Sequence, residues 1–107
     1  MMTTNLIEVV NFKLKTDTNL AQFHIANNDF QRYIDNQSGV LYRSLAKQAD
    51  TQQYTSIIYF ATVADAQKLR DIFFDNAICQ QYTSLIAKES IKLDRFEVLS
   101  QTACQQS

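Results

Sequence analysis

The chain has 107 residues, is 46% hydrophobic and is rich in Phe and Tyr, which suits one folded domain and excludes a disordered body. The formal net charge is −1 and the basic residues are scattered without a run or stripe, so the electrostatic footprint of a nucleic-acid binder is missing. No apolar run approaches the roughly 18 residues needed to span a bilayer, and Met1-Met2-Thr3-Thr4-Asn5 lacks the basic and apolar regions of a signal peptide, so neither nucleic acid nor membrane is expected as a partner and the cytoplasm is the expected location.

Residues 6–15 are rich in β-branched and aromatic side chains and read as the first strand. Ile7, Val9 and Asn11 point one way, expected toward the helices; Val10, Phe12 and Leu14 point the other way. Thr16-Asp17-Thr18-Asn19 supplies turn and N-cap chemistry. From Leu20 the period changes, with Leu20, Phe23, Asn27, Phe30 and Ile34 at helical spacing. That helix should stop near Asn36, because Gly39, the chain's single glycine, follows in a turn. Residues 40–46 and 54–61 read as a hairpin around a polar turn. Thr62 and Asp65 resemble a capping box opening a second helix, whose buried face is Ala66, Leu69, Ile72 and Phe73. Asp75-Asn76 predicts a break before a further helical piece at 77–86, and residues 91–99 read as the last strand. The domain is expected over residues 1–100, with 101–107 a polar, fraying tail. Cys79, within a helical pattern, and Cys104, in the tail, are expected as free thiols.

This order predicts an α+β, ferredoxin-like βαββαβ sandwich: a four-stranded antiparallel sheet with two helices on one face. The strands carry large apolar residues on both sides, such as Val9 and Val10 or Ile57 and Ile58. Helices can cover only one face, and an exposed apolar second face would drive aggregation. A homodimer closing through that face into an α+β barrel is therefore expected, with a pocket between helices and sheet.

The chain also resembles the dimeric α+β barrel superfamily and, within it, the antibiotic biosynthesis monooxygenase-like group. The resemblance runs over residues 6–99. It is carried by Glu8-Val9-Val10-Asn11-Phe12-Lys13-Leu14-Lys15, Gln37-Ser38-Gly39-Val40, Asp65-Ala66 and Asp94-Arg95-Phe96-Glu97-Val98-Leu99. These segments specify fold and contain no catalytic signature. The resemblance implies a cofactor-independent oxygenase acting on a small phenolic or quinol-type ligand in the helix–sheet pocket. The alternative is a non-catalytic, ligand-binding or stress-associated homodimer. The group's haem-degrading members carry an Asn in the first strand and a Trp and a His on the second helix. Asn11 matches the first; no Trp exists, Ile72 or Phe73 standing in that region, and Tyr82 falls where the His would be. Haem degradation is thereby disfavoured.

Asn11, His24 and Tyr82 are the candidate catalytic residues. Asn11 is an amide in an apolar strand and must find a hydrogen-bond partner; it would be a polar anchor. His24, the single histidine, has a pKa range suited to proton transfer, and an edge-of-helix packing role competes with that reading. Tyr82 lies beyond the helix break and would handle protons. Asn27, Tyr42, Tyr59 and Phe73 are candidate substrate-binding residues, with Asn27 expected to share Asn11's cavity. Arg43 and Arg95, charges within apolar strands, are expected to form structural ion pairs with Glu8 and Glu97. One histidine without clustered thiols or carboxylates predicts no metal site, and no cofactor is expected.

Overall fold

The computed structural model describes residues 5–102. The expectations for the first four residues, for Cys104 and for the tail beyond residue 102 lie outside the described residues. The elements are β1 (Leu6–Phe12), α1 (Leu20–Asp35), β2 (Val40–Lys47), β3 (Tyr54–Phe60), α2 (Val63–Phe73), α3 (Ala77–Ser84) and β4 (Lys92–Glu97), with a short 3₁₀ turn at Lys88–Ser90. The strands form one antiparallel sheet in the order β2-β3-β1-β4. This is the ferredoxin-like α+β arrangement expected from the sequence. Among the described residues no helix is long and apolar enough to cross a membrane.

Local chemistry places the helix boundaries. Asn19 caps α1, its Oδ1 accepting from the Gln22 amide at 3.1 Å. Thr62 caps α2: its Oγ1 accepts from the Asp65 amide at 3.1 Å and donates to the Asp65 carboxylate at 2.8 Å. At the expected break, Asn76 accepts from the amides of Ile78 and Cys79 and restarts the chain as α3. The 16 residues of α1 bury Phe23, Ala26, Phe30 and Ile34 against the sheet.

The turn between α1 and β2 depends on Gly39, which sits at φ +86°. A Cβ there would overlap the Asp65 carboxylate at the start of α2. Gly39→Ala therefore meets both a disfavoured backbone conformation and the capping residue of a neighbouring helix. We expect it to lower stability by about 2 kcal/mol, read as a drop in the urea midpoint without a change in slope.

The two sheet faces are unlike. Leu6, Phe12, Tyr54, Ser56, Ile58 and Phe60 point into the helical layer and are buried. They pack with Phe23, Phe30, Ile34, Ala66, Leu69, Cys79, Tyr82 and Ile86 into one core. By alternation, Ile7, Val9 and Asn11 of β1 and Thr55, Ile57 and Tyr59 of β3 lie on the opposite face. This reverses the expected facing of β1. Both of its faces are apolar, so alternation alone does not choose between them. The ring of Phe12, 1% exposed, takes the place in the helical layer that the Ile7–Val9–Asn11 face was assigned.

Candidate functional site

The helical layer contains a buried cation. Arg43, in the middle of β2, is 6% exposed and points toward α1 and α3. Its Nε donates to Ser56 Oγ at 3.1 Å on the adjacent β3. Nη1 donates to Asn27 Oδ1 at 2.7 Å and to Gln31 Oε1 at 3.0 Å, one turn apart on α1. Nη2 donates to the Tyr82 hydroxyl at 2.9 Å, on α3. Gln31 Nε2 reaches back to the Arg43 carbonyl and to Asp35 Oδ1. The guanidinium also lies 4.9 Å from the Phe30 ring centre and 5.5 Å from that of Tyr82, a cation–π geometry. A buried charge is tolerated only when hydrogen-bonded, and here four neutral acceptors do this with no carboxylate in direct contact.

A guanidinium has five N–H donors, and four are taken. One Nη2 hydrogen has no acceptor among the described residues. Tyr82 accepts from Arg43, and its own hydroxyl proton likewise has no acceptor among them. Two unused donors therefore sit 2.9 Å apart in an aromatic, nearly dry environment. Burial lowers the pKa of Arg43, with Tyr82 and Asp35 acting in the opposite direction, and the group remains a cation at neutral pH. Burial raises the Tyr82 pKa, opposed in part by Arg43, so its phenol stays protonated.

Rings fill the space around this node. Tyr82 stacks on Phe30 at 4.3 Å, and Phe23 lies 5.8 Å from Tyr82. Phe12 and Tyr54 stack at 5.6 Å beyond them. Phe73, half-buried at the end of α2, packs edge-on against Phe30 at 5.9 Å and against Phe74 at 5.3 Å. Phe74 is 72% exposed. A ladder of rings thus runs from the surface at the α2–α3 break to Arg43.

The sequence candidates divide between three places. Asn27 and Tyr82 meet at Arg43, and Phe73 joins through Phe30. Asn11 lies across the sheet, where its Oδ1 accepts from Thr55 Oγ1 at 2.6 Å; it shares no cavity with Asn27, contrary to expectation. Tyr42 and Tyr59 also lie on that open face, paired across β2 and β3 and stacked at 4.4 Å. His24 is exposed on α1, with Phe23 as its ring neighbour at 6.0 Å. Arg95 pairs with Glu8 as expected, at 3.0 Å, joined by Arg70 at 3.4 Å. Arg43 does not pair with Glu8 or Glu97. A one-residue irregularity between Val40 and Tyr42 shifts the β2 register, and position 43 points into the helical layer, where the Asn27 and Gln31 amides receive it. Gln31 and Ser56 were not singled out from the sequence. The available signal was the pair Asn27 and Gln31, four apart on the helix face that also carries Phe23, Phe30 and Ile34.

Cys79 is fully buried beneath α3, and burial pushes its thiol from 9.0 up to about 11. An unfolded chain ionises this thiol at lower pH than the folded one. Cys79 therefore contributes stability that is complete below pH about 9 and is lost as the pH rises toward 11. Tyr33 and Tyr82, both raised by burial above 10.0, act in the same direction as the pH rises past 10.0. We expect the unfolding midpoint to be flat near neutrality and to fall above pH about 9. In Cys79→Ala the first part of that fall should disappear from pH-dependent denaturation curves.

No protein-family model and no curated protein matches this chain, but solved structures do. It is similar to SnoaB of Streptomyces nogalater, a cofactor-independent oxygenase, with 14% identity, a TM-score of 0.74 and 97% of each chain covered. A Caulobacter crescentus CB15 protein named for the antibiotic biosynthesis monooxygenases superposes with a TM-score of 0.77 at 13% identity, covering 92% of this chain and 93% of that one. A dimeric ferredoxin-like protein of unknown function from Jannaschia sp. CCS1 gives 0.67 at 12% identity, covering 88% and 99%. At these identities the likeness is one of fold, and the chain has the ferredoxin-like α+β fold of the antibiotic biosynthesis monooxygenase-like structures that its sequence resembles.

Proposed function

We propose that the chain is a homodimeric, cofactor-independent oxygenase acting on a small quinol or phenol in the helical layer. The observation that carries this reading is the pair of unused donors on Arg43 and Tyr82 beside a buried positive charge. Ionisation of a quinol places negative charge on the substrate oxygen, and electron transfer to dioxygen moves that charge onto reduced oxygen. Preorganised donors in a dry site stabilise such charge far more than water does. The balanced reaction is quinol plus dioxygen giving a hydroxyquinone and water. The substrate supplies four electrons; one oxygen atom enters the ring and the other leaves as water.

Phe73 and Phe30 are the rings that would move aside to admit an aromatic substrate from the α2–α3 break. Asn27 and Gln31 hold the guanidinium in register. Asn11, Tyr42 and Tyr59 would serve the dimer face in place of the roles first assigned to them, and His24 would stay in solvent. The open face of Ile7, Val9, Ile57 and Tyr59 would be covered by a second copy, as the fold of the dimeric Jannaschia protein supports. Residues 1–100 would act as one domain with a short tail, and the free thiol of Cys79 suits the cytoplasm.

A second reading, a ligand-binding dimer without turnover, is favoured by the closely stacked rings that occupy the layer. Oxygen uptake with a quinol separates the two. Turnover by the native chain, one dioxygen per hydroxyquinone, with loss in Arg43→Met while the oligomer persists, supports the oxygenase. Quinol binding without oxygen uptake refutes it in favour of the binding protein.

A further inference from the structure

We infer that a groove at the far end of β1 binds a small, multiply charged oxyanion, independently of the Arg43 node. The groove has a volume of about 870 Å³ and is lined by Lys13, Lys15, Lys88, Glu89, Gln53 and Ser90 among others. That volume lies within the range of small-molecule sites. Three lysines against one glutamate leave an excess of two positive charges, in a chain whose net charge is −1. A smaller groove adjoins it, sharing Lys15 and carrying Asp17.

Among the described residues, neither a hydrogen bond nor an ion pair is made by the Nζ of Lys13, Lys15 or Lys88. Lys47 and Lys92 differ, reaching the Thr51 carbonyl and Asp94 respectively. Glu89 makes no ion pair with its lysine neighbours. One carboxylate against three ammonium groups leaves the groove with uncompensated positive charge, which an anion entering it would offset.

The walls are held in place. The Ala87 amide donates to the Lys13 carbonyl at 2.9 Å, and the Lys15 amide to the Leu85 carbonyl at 2.9 Å. Ser90 Oγ accepts from the Lys13 amide at 2.8 Å and donates to the Ala87 carbonyl at 2.6 Å. The chain leaving β1 and the chain entering β4 are thereby fastened to each other, with Leu14 bridged to Ile86 between them. This frame fixes the backbone positions that carry the three lysines, whose side chains are exposed to solvent. Phosphate and carboxylate oxygens share the required chemistry. The groove is open to solvent, and the lack of any basic stripe beyond it favours a small anion over a nucleic acid.

Titration of the ¹⁵N-labelled full chain with pyrophosphate and, separately, with citrate tests the assignment. Saturable shifts are expected at residues 13–16 and 87–90 with one or both, weakening as salt rises. The stronger ligand tells phosphate from carboxylate recognition. The triple variant Lys13→Gln, Lys15→Gln, Lys88→Gln should bind about tenfold or more weakly, with its remaining amide spectrum intact. All three side chains are exposed, so folding should persist. Absence of saturable shifts with either anion, or equal affinity in the triple variant, overturns the proposal.

Discussion

Arg43→Ala is expected to lower stability by about 3 kcal/mol, a loss comparable with truncating a buried ring of the helical layer. Truncation leaves Ser56, Asn27, Gln31 and Tyr82 facing a void, each having lost the donor it accepted from. Each buried polar group left without a partner costs roughly 1–3 kcal/mol. The sum is moderated because hydroxyls rotate, a water can enter, and the cost of burying the guanidinium itself disappears. Arg43→Met should be milder, since it fills the volume and removes a charge that is expensive to bury. Arg43→Lys keeps the charge but cannot reach four acceptors in a plane, so it should fall between the two. Tyr82→Phe, which removes a single acceptor from a charged donor, should cost about 2 kcal/mol. Urea denaturation of the series checks the order Ala, Lys, Met. If Arg43→Ala were as stable as the native chain, the node would contribute nothing to the fold.

Ile57→Asp should act on assembly and leave the subunit's fold intact. Ile57 sits in β3 on the open face, between Val9 of β1 and Ser44 of β2. Ile7, Tyr42, Tyr59 and Phe96 extend the same apolar surface, Phe96 being 52% exposed. Were a second copy to cover this face, an aspartate at its centre would be buried without a partner, at a cost of several kcal/mol. The dimer dissociation constant should rise by about a thousandfold or more. Because the position faces away from the core, circular dichroism should be unchanged. Sedimentation that shows Ile57→Asp still dimeric at low concentration would move the interface off this face.

The order of elements was legible because each has its own period. Phe23, Phe30 and Ile34 mark a helix face that no strand could share, and Asn19, Thr62 and Asn76 announce the helix starts. The Asp75-Asn76 interruption located the division between α2 and α3. What alternation could not decide was the facing of β1, where either side is apolar enough to be core. That ambiguity moved Asn11 from the helical layer to the open face and separated it from Asn27. Arg43 was misassigned for a related reason. A charge in a strand reads as a cross-strand ion pair, and its true partners are neutral amides and hydroxyls contributed by three other elements. Contacts of this kind, from residues 12 to 39 positions apart, are set by how helices lie on the sheet and leave no periodic trace. Tyr82 was singled out because it lies beyond the helix break and falls where haem-degrading members of the resembled group carry a His.

The most direct test of the account is the Arg43 side chain itself, followed by ¹⁵N NMR at Nε while a non-oxidisable phenol is added. The Nε–H resonance is assigned by its loss in Arg43→Lys. If the node receives the substrate oxygen, the Arg43 Nε signal and the Tyr82 ring signals shift together and saturate with the same affinity. If phenol binding saturates elsewhere on the chain while these signals stay fixed, or if no phenol binds at all, Arg43 and Tyr82 are elements of a closed core and the proposed oxygenase site is wrong.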